Sequence, residues 1–431
     1  MADMAPFDWI ATELATLDEQ GLRRQRRRIR PLSGGKCQIE ERVLWNFAAN
    51  DYLGLADDPR LAQAAQQAIQ DSGLGARASP LVTGRTEWHV ALEQALAEFK
   101  QTEAAVLFPT GYAANLGTIP TLAGREDVVF CDRLNHASLI DGCRLSQARL
   151  RIYPHCDLQT LRRELTKSHN FRRRLIVTDS LFSMDGDQAP LQALADLAEE
   201  FQAILLVDEA HATGVYGATG SGLLEAQGVQ SNRVVAVGTL SKGIGVQGGF
   251  VAGSQELVDW LWNSARTQVF STALAIPICA AAVAALKIIQ TEPERRQRLL
   301  RSAEQVRDAL TRQGWEIPRQ GQFVPATTNE IQLPQDLHSP GGSESPGVQT
   351  APSPIIPVIV GDALHTMELA TRLEQQGILV AAIRPPTVPR GTARLRISLS
   401  DAHQPTGIHA LLQAMQTVRS SLRPDSLRTS G

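Results

Sequence analysis

The segment TLSKGIG carries Lys242, and about thirty residues earlier LLVDEAHATG carries Asp208 and His211. A buried strand ending in Asp-x-x-His, followed by a second strand that runs into a Ser-Lys turn, would gather a carboxylate, an imidazole and an amine around one flat heteroaromatic ring. Pyridoxal phosphate needs such a set, an amine for a Schiff base and a carboxylate for its pyridinium nitrogen. Ordinary α/β enzymes also have buried strands that end in Asp or Lys, and most lysines are solvated surface groups. Lys242 alone therefore leaves the chemistry open. A metal role for His211 is disfavoured, because no second His or Cys stands at ligand spacing.

Other segments carry groups that would complete such a site. PTGYAAN (109–115) follows an apolar run and opens a helix. Gly111 would let the backbone approach an anion, and the N–H groups of Gly111, Tyr112 and Ala113 could face a phosphate at the positive helix end. A glycine at a strand-to-helix turn is also ordinary fold chemistry. In DRLNHASLIDG (132–142), His136 stands just before a helix, where it could stack on an aromatic ring or cap the helix, and capping is the better reading from these residues alone. VTDSLFSMDGD (177–187) puts Ser183 in a loop, to meet a cofactor oxygen or simply to make the turn. Asp208 closes a buried run and must be satisfied, since an isolated buried charge is costly. His211, in the same turn, could reach a phenolic oxygen of the ring.

Arginines supply the anion-binding chemistry. IRPPTVPRGTARLRIS (383–398) holds Arg384, Arg390, Arg394 and Arg396, with Arg394 and Arg396 on one face of a strand by alternation. Guanidinium groups grip carboxylates in a two-pronged geometry, which suits an amino-acid carboxylate, and a solvated basic patch is the alternative. The run RRQRRRIR (23–30) is either a solvated face or an arm that touches anionic ligand groups.

The elements that must position these groups follow from short apolar runs. AAVLF, DVVFC, RLIVT, AILLV, RVVAV and GFVAG lie between residues 104 and 253, bounded by turn residues and interleaved with helical segments. Such runs read as strands covered on both faces. The β-α-β alternation implies a mostly parallel sheet with its ligand site at the carboxyl ends of the strands. Residues 8–30 read as a short helical arm, and Thr272 to Ile289 as a buried helix. The strands NEIQL, IIPVIVG, ILVAAI and ARLRISLS make the C-terminal part α+β. The expected division is an arm over 1–50, a large cofactor-binding domain over 51–290, and a small domain over 291–420 with a Pro/Ser-rich insertion at about 335–354. Residues 421–431 are expected to be a disordered tail.

Composition narrows the class. With 43% hydrophobic and 20% charged residues the chain reads as a globular protein, and a net charge of −3 gives no support for nucleic-acid binding. Five cysteines without a C-x-x-C pair suit a reducing, cytoplasmic compartment rather than a disulfide framework or a zinc site. No signal peptide or membrane span is expected, since the N-terminus carries Asp3, Asp8 and Glu13, and Pro277 and Lys287 interrupt the most apolar stretch.

Taken together, NDYLGL (50–55), TGYAAN, NHASLIDG, FSMDGD, VDEAHATGVYG, the T-x-x-K of Thr239 and Lys242, and RLRISLS resemble the α-oxoamine synthases, in family order over most of the chain. That family has pyridoxal-phosphate chemistry and the fold of aspartate aminotransferase. The resemblance implies that Lys242 holds the cofactor and acts as the base, that Asp208 keeps its ring nitrogen protonated, and that His136 stacks on the ring. It implies that Ser183 and His211 contact the ring oxygen, and that Gly111, Tyr112 and Thr239 serve the phosphate with Thr272 from a partner subunit of a homodimer. Arg396 would bind the amino-acid carboxylate, and Arg26, Arg384 and Thr387 would meet substrate.

Within the family, AIRPPTVPRGTARLR and the basic arm are most similar to the branch that condenses L-alanine with pimeloyl-CoA or a pimeloyl-carrier protein. Glycine or another acyl-CoA as substrate, an aminotransferase, and a non-catalytic paralogue remain alternatives. Three features depart from the pattern: Ala212 in HATG, the stretch GARASPLVTG, and the Pro/Ser-rich insertion. Ala and Pro in the second could alter the acyl-chain entrance.

Overall fold

The computed structural model describes residues 6–318 and 352–421. They divide into two compact units, one from Asn50 to Leu300 and one made of the residues up to Ala49 together with those from Arg301 onward. The segment NEIQL and most of the Pro/Ser-rich insertion lie outside the described residues, as does the C-terminal tail beyond residue 421.

In the second unit, helix α1 (Asp8–Glu19) is followed by an antiparallel meander of β1 (Ile29–Leu32), β2 (Lys36–Ile39) and β3 (Arg42–Asn46). The helical arm expected over 8–30 is therefore helical only to Glu19. The arginine run has no regular structure until it enters β1, since its arginines offer no apolar stripe for a helix to bury.

The Asn50–Leu300 unit holds α2 (Pro59–Ser72), α3 (Glu87–Lys100), β4 (Ala104–Phe108), α4 (Gly111–Leu122), β5 (Val128–Asp132), α5 (Ala137–Leu145) and β6 (Arg149–Tyr153). It continues with α6 (Leu158–Thr166), β7 (Arg174–Asp179), α7 (Leu191–Glu200), β8 (Ile204–Asp208), α8 (Leu223–Ala226), β9 (Val234–Thr239) and β10 (Gly249–Gly253). The unit closes with α9 (Gln255–Ser264), α10 (Arg266–Val269) and α11 (Ile276–Thr291). Helix α12 (Glu294–Arg312) runs across the division.

The seven strands β4 to β10 form one sheet in the order β4-β10-β9-β8-β7-β5-β6. β9, β8, β7, β5 and β6 run parallel, and only β10 is antiparallel to its neighbours. The sheet is mostly parallel, as the apolar runs imply. On one face of the sheet Val106, Val129, Val177, Leu206, Val237 and Val251 form a single apolar core with residues of α4, α5 and α9. Strand β6 was not expected. As the last strand in the order it is only partly buried and reads RLRIY, so it lacks the continuous apolar signal.

After α12 the second unit adds β11 (Ile355–Gly361), α13 (Ala363–Gln375), β12 (Ile378–Leu379), β13 (Ala381–Ile383), β14 (Ala393–Ser398) and α14 (Pro405–Ser420). The run ILVAAI, read as one strand, is split between two sheets. β12 pairs with β3, and β13 pairs with β14 beside β11. Among the described residues no single helix is long and apolar enough to cross a membrane.

Candidate active site

Parallel strands end together, so side chains at their carboxyl ends converge. Asp208 is the last residue of β8 and is 4% exposed. Its Oδ1 accepts from the Ala210 N–H at 2.8 Å and its Oδ2 accepts from Asn115 Nδ2 at 2.7 Å. Both donors are neutral. A carboxylate buried to this degree is stable only when its charge is matched, and a protonated ring nitrogen fits that requirement.

Asn115 sits one turn into α4 and also donates to Ser138 Oγ at 2.9 Å. Ser138 Oγ lies 2.7 Å from His136 Nδ1, and the Ser138 N–H donates to the same nitrogen at 3.3 Å. His136 thus caps α5, the plainer of its two readings, while its ring stays in the Asp208 network. Burial pushes His136 below the usual imidazole range, with Asp208 pulling the other way and Lys242 adding to the fall. With Nδ1 accepting, the neutral ring carries its proton on Nε2. The His136 N–H donates to Asp179 Oδ2 at 2.7 Å. Asp179 is the register partner of Asp208 on β7, and burial first, then the Asp208 charge, hold its carboxyl well above the ordinary range.

Lys242 lies in the turn after β9, with Nζ 2.8 Å from His211 Nε2. His211 Nδ1 is 2.6 Å from the Tyr52 hydroxyl, which donates on to Asn50 Oδ1 at 3.4 Å. Tyr52 is fully buried and His211 nearly so. The amine is therefore aligned by a three-residue relay at the end of the sheet. Lys242 and His211 meet in this relay, Asp208 and His136 are joined through Asn115 and Ser138, and the Lys242 charge is felt at His136.

The anion seat is at the start of α4. A Cβ on Gly111 would stand 3.0 Å from Thr239 Cβ, so any side chain there would crowd the end of β9. Thr239 Oγ1 donates to Gly248 O at 2.9 Å and lies 2.8 Å from Ser241 Oγ. One expectation needs correction. The Ala113 N–H donates to Thr110 Oγ1 at 3.0 Å, because threonine is a favoured N-cap, so the anion would meet the N–H groups of Gly111 and Tyr112. The Tyr112 hydroxyl donates to Asp141 Oδ2 at 2.5 Å, and its ring stands edge-on to His136 at 6.4 Å.

Ser183 is in the turn after β7, and Thr272 is exposed on the segment before α11. Arg396 and Arg394 are buried on β14, where Arg396 Nη1 donates to Ser398 Oγ at 2.9 Å. Arg384 donates to Arg23 O at 3.1 Å, Thr387 is exposed in the proline turn, and Arg26 is exposed in the arginine run. Arg27 is not available to a ligand in the same way, since Glu374 pairs with it at 2.8 Å and with Arg42 at 2.7 Å. Sequence reasoning missed Tyr52, Asn115 and Asp179. Tyr52 lies in NDYLGL, a segment that matched the family but offered no chemical role without its partner at His211.

A sequence model of aminotransferases of class I and II matches residues 42–415. The chain belongs to the class I and II aminotransferase family. Within this family it is similar to an 8-amino-7-oxononanoate synthase of Anaeromyxobacter sp. (strain K), 44% identical over 425 residues that cover 99% of both chains. The 8-amino-7-oxononanoate synthase 2 of Bacillus subtilis (strain 168) is 40% identical over 416 residues, 96% of this chain and 98% of the relative. Among solved structures, a serine palmitoyltransferase from S. paucimobilis with a bound PLP-myriocin aldimine superposes with a TM-score of 0.84 at 29% identity, covering 96% and 98% of the two chains. An 8-amino-7-oxononanoate synthase from Francisella tularensis gives 0.69 at 26% identity, covering 87% and 97%. The fold is that of the aspartate aminotransferase-like family members, a mostly parallel sheet between helices with a smaller α+β part.

Proposed function

We propose that this chain is a pyridoxal-phosphate-dependent 8-amino-7-oxononanoate synthase of biotin synthesis. It condenses L-alanine with a pimeloyl thioester, carried on CoA or a carrier protein, and releases the thiol and carbon dioxide. The observation that carries the reading is the Tyr52–His211–Lys242 relay beside a buried Asp208 whose donors are neutral. Near-full-length similarity to proteins of that name supports the choice of substrates. The free cysteines support a cytoplasmic location, and a homodimer would bring Thr272 to a partner's site.

The residues present fit the cofactor: a matched place for a ring cation at Asp208, a glycine-lined anion seat at Gly111, and an aligned amine. When bound, pyridoxal phosphate supplies an electron sink for negative charge on the amino-acid Cα. Lys242 Nζ anchors the cofactor and moves the proton at that carbon, with His211 and Tyr52 holding the amine in line. Asp208 holds the proton on the ring nitrogen. Neutral His136 offers a flat face without placing a second cation beside that ring, and Ser183, joined by His211 when its Nε2 is not held by Lys242, serves its phenolic oxygen. The Gly111 and Tyr112 N–H groups orient the phosphate, with Thr239 packed beside Gly111 at the end of β9. Arg396 grips the amino-acid carboxylate, while Arg26, Arg384 and Thr387 meet the acyl substrate.

The test is thiol release from pimeloyl-CoA by the purified protein with L-alanine, against glycine and against shorter and longer acyl-CoAs. Release with alanine and pimeloyl-CoA, matched by carbon dioxide, is expected. Transfer of the amino group to a keto acid without thiol release would instead make the chain an aminotransferase.

A further inference from the structure

Outside the Lys242 relay, a buried cluster of titratable groups joins three consecutive strand ends. His155, in the turn after β6, has a side chain only 4% exposed and lies between two carboxylates. Its Nδ1 is 3.0 Å from Asp132 Oδ1 at the end of β5, and its Nε2 is 2.6 Å from Asp187 Oδ2 in the loop after β7. The Phe182 ring stands edge-on at 4.4 Å and closes the pocket. Asp132 also accepts from the Leu134 N–H and the Cys156 N–H, each at 2.8 Å.

The Asp132, His155 and Cys156 donor atoms lie within 4.8 Å of one another, a spacing that a divalent ion would tolerate. The chemistry opposes one. Both ring nitrogens already face carboxylates, which calls for a proton on each, and burial pushes the Cys156 thiol up to about 11. Burial alone would push His155 down, yet the Asp132 and Asp187 charges carry it well above the imidazole range. The ring is a cation inserted between two anions.

This cation holds chain segments that the proposed function uses. Asp132 begins the turn that presents His136, and in that turn Asn135 Nδ2 donates to Val177 O at 2.8 Å while its Oδ1 accepts from the Asp179 N–H at 3.0 Å. Asp187 ends the loop that contains Ser183, and its carbonyl accepts from the Phe182 N–H at 3.0 Å. We infer that His155 is a positioning residue, whose imidazolium between Asp132 and Asp187 locks the His136 turn and the Ser183 loop in one arrangement toward the cofactor. The inference rests on the proposed cofactor site, but its structural half stands without the choice of substrate.

The experiment compares the cofactor-loaded protein with His155→Gln and with Asp187→Asn, which retains the imidazole and one carboxylate if the first variant fails to fold. Amide hydrogen exchange should rise about tenfold or more in residues 133–138 and 181–188 together, with the Lys242 turn unchanged. The visible band of the bound cofactor should shift, and kcat should fall about tenfold with little change in KM. The exchange result needs no turnover, so it is decided even if the proposed reaction is wrong. Faster exchange confined to 154–156, or lower thermal stability with an unchanged cofactor band and kcat, would overturn the inference.

Discussion

Asp208 and Glu209 are neighbours at the end of β8, and their surroundings are opposite. Successive residues of an extended strand point to opposite faces. Glu209 is fully buried against Lys100 at 2.7 Å, and Lys100 also donates to Thr213 Oγ1 at 3.0 Å and to Ser221 O at 2.5 Å. Its second oxygen accepts from the Leu224 N–H at 2.9 Å. A Cβ on Gly222 would stand 2.4 Å from that oxygen, so the glycine there is required by the close approach. Asp208, one residue earlier, is met only by the neutral donors Asn115 and Ala210 among the described residues. One carboxylate has a protein cation in contact with it, and the other, among the described residues, has only neutral hydrogen-bond donors, an arrangement that a ring cation would complete. The difference separates a structural charge from a functional one more sharply than burial does, since both are buried.

Substitutions on the two sides should therefore act on different quantities. The largest effect on turnover is expected for Lys242→Ala, which should lower thiol release by about 10³-fold or more while the melting temperature holds. Persisting turnover at the wild-type rate would remove the relay from the account. The largest effect on stability belongs to the sealed side. Lys100→Met should cost about 4 kcal/mol in a denaturant melt, because it leaves Glu209 buried without its partner. Lys100→Met combined with Glu209→Gln should recover part of that loss.

Arg396→Lys should raise KM for alanine about tenfold or more with a smaller effect on kcat, since an ammonium cannot reproduce a two-pronged grip. Tyr52→Phe removes one hydrogen bond from His211 and should lower kcat about fivefold, the size of one net hydrogen bond. If Tyr52→Phe instead destabilised the fold as strongly as Lys100→Met, the relay would belong with Glu209 on the structural side.

Much of this was legible in the sequence. The strands β4, β5, β7, β8, β9 and β10 announce themselves because two-sided burial writes a continuous apolar run. The edge strand β6 and the meander β1–β3 do not, since their exposed faces carry arginines and lysines. Lys242, Asp208, His211 and His136 could be picked out because each stands at a strand or helix boundary. Their partners could not. Asn115 reaches Asp208 across 93 positions and Tyr52 reaches His211 across 159, distances over which a single sequence carries no pairing signal. The same holds for His155, whose carboxylates arrive from two other loops. The Thr110 cap that takes the Ala113 N–H was a local signal, a threonine just before a helix, that could have been read.

The most direct test crosses the two neighbours. Asp208→Asn and Glu209→Gln are each measured for kcat, cofactor absorbance and thermal stability. Asp208→Asn should lower kcat by about 10²-fold or more and shift the cofactor band with little loss of stability, because a charge that must match the ring nitrogen has been removed. Glu209→Gln should do the reverse, lowering the melting temperature and keeping most of the turnover of the folded protein. Equal loss of activity in both, or a stability loss in Asp208→Asn as large as in Glu209→Gln, would contradict this division of roles.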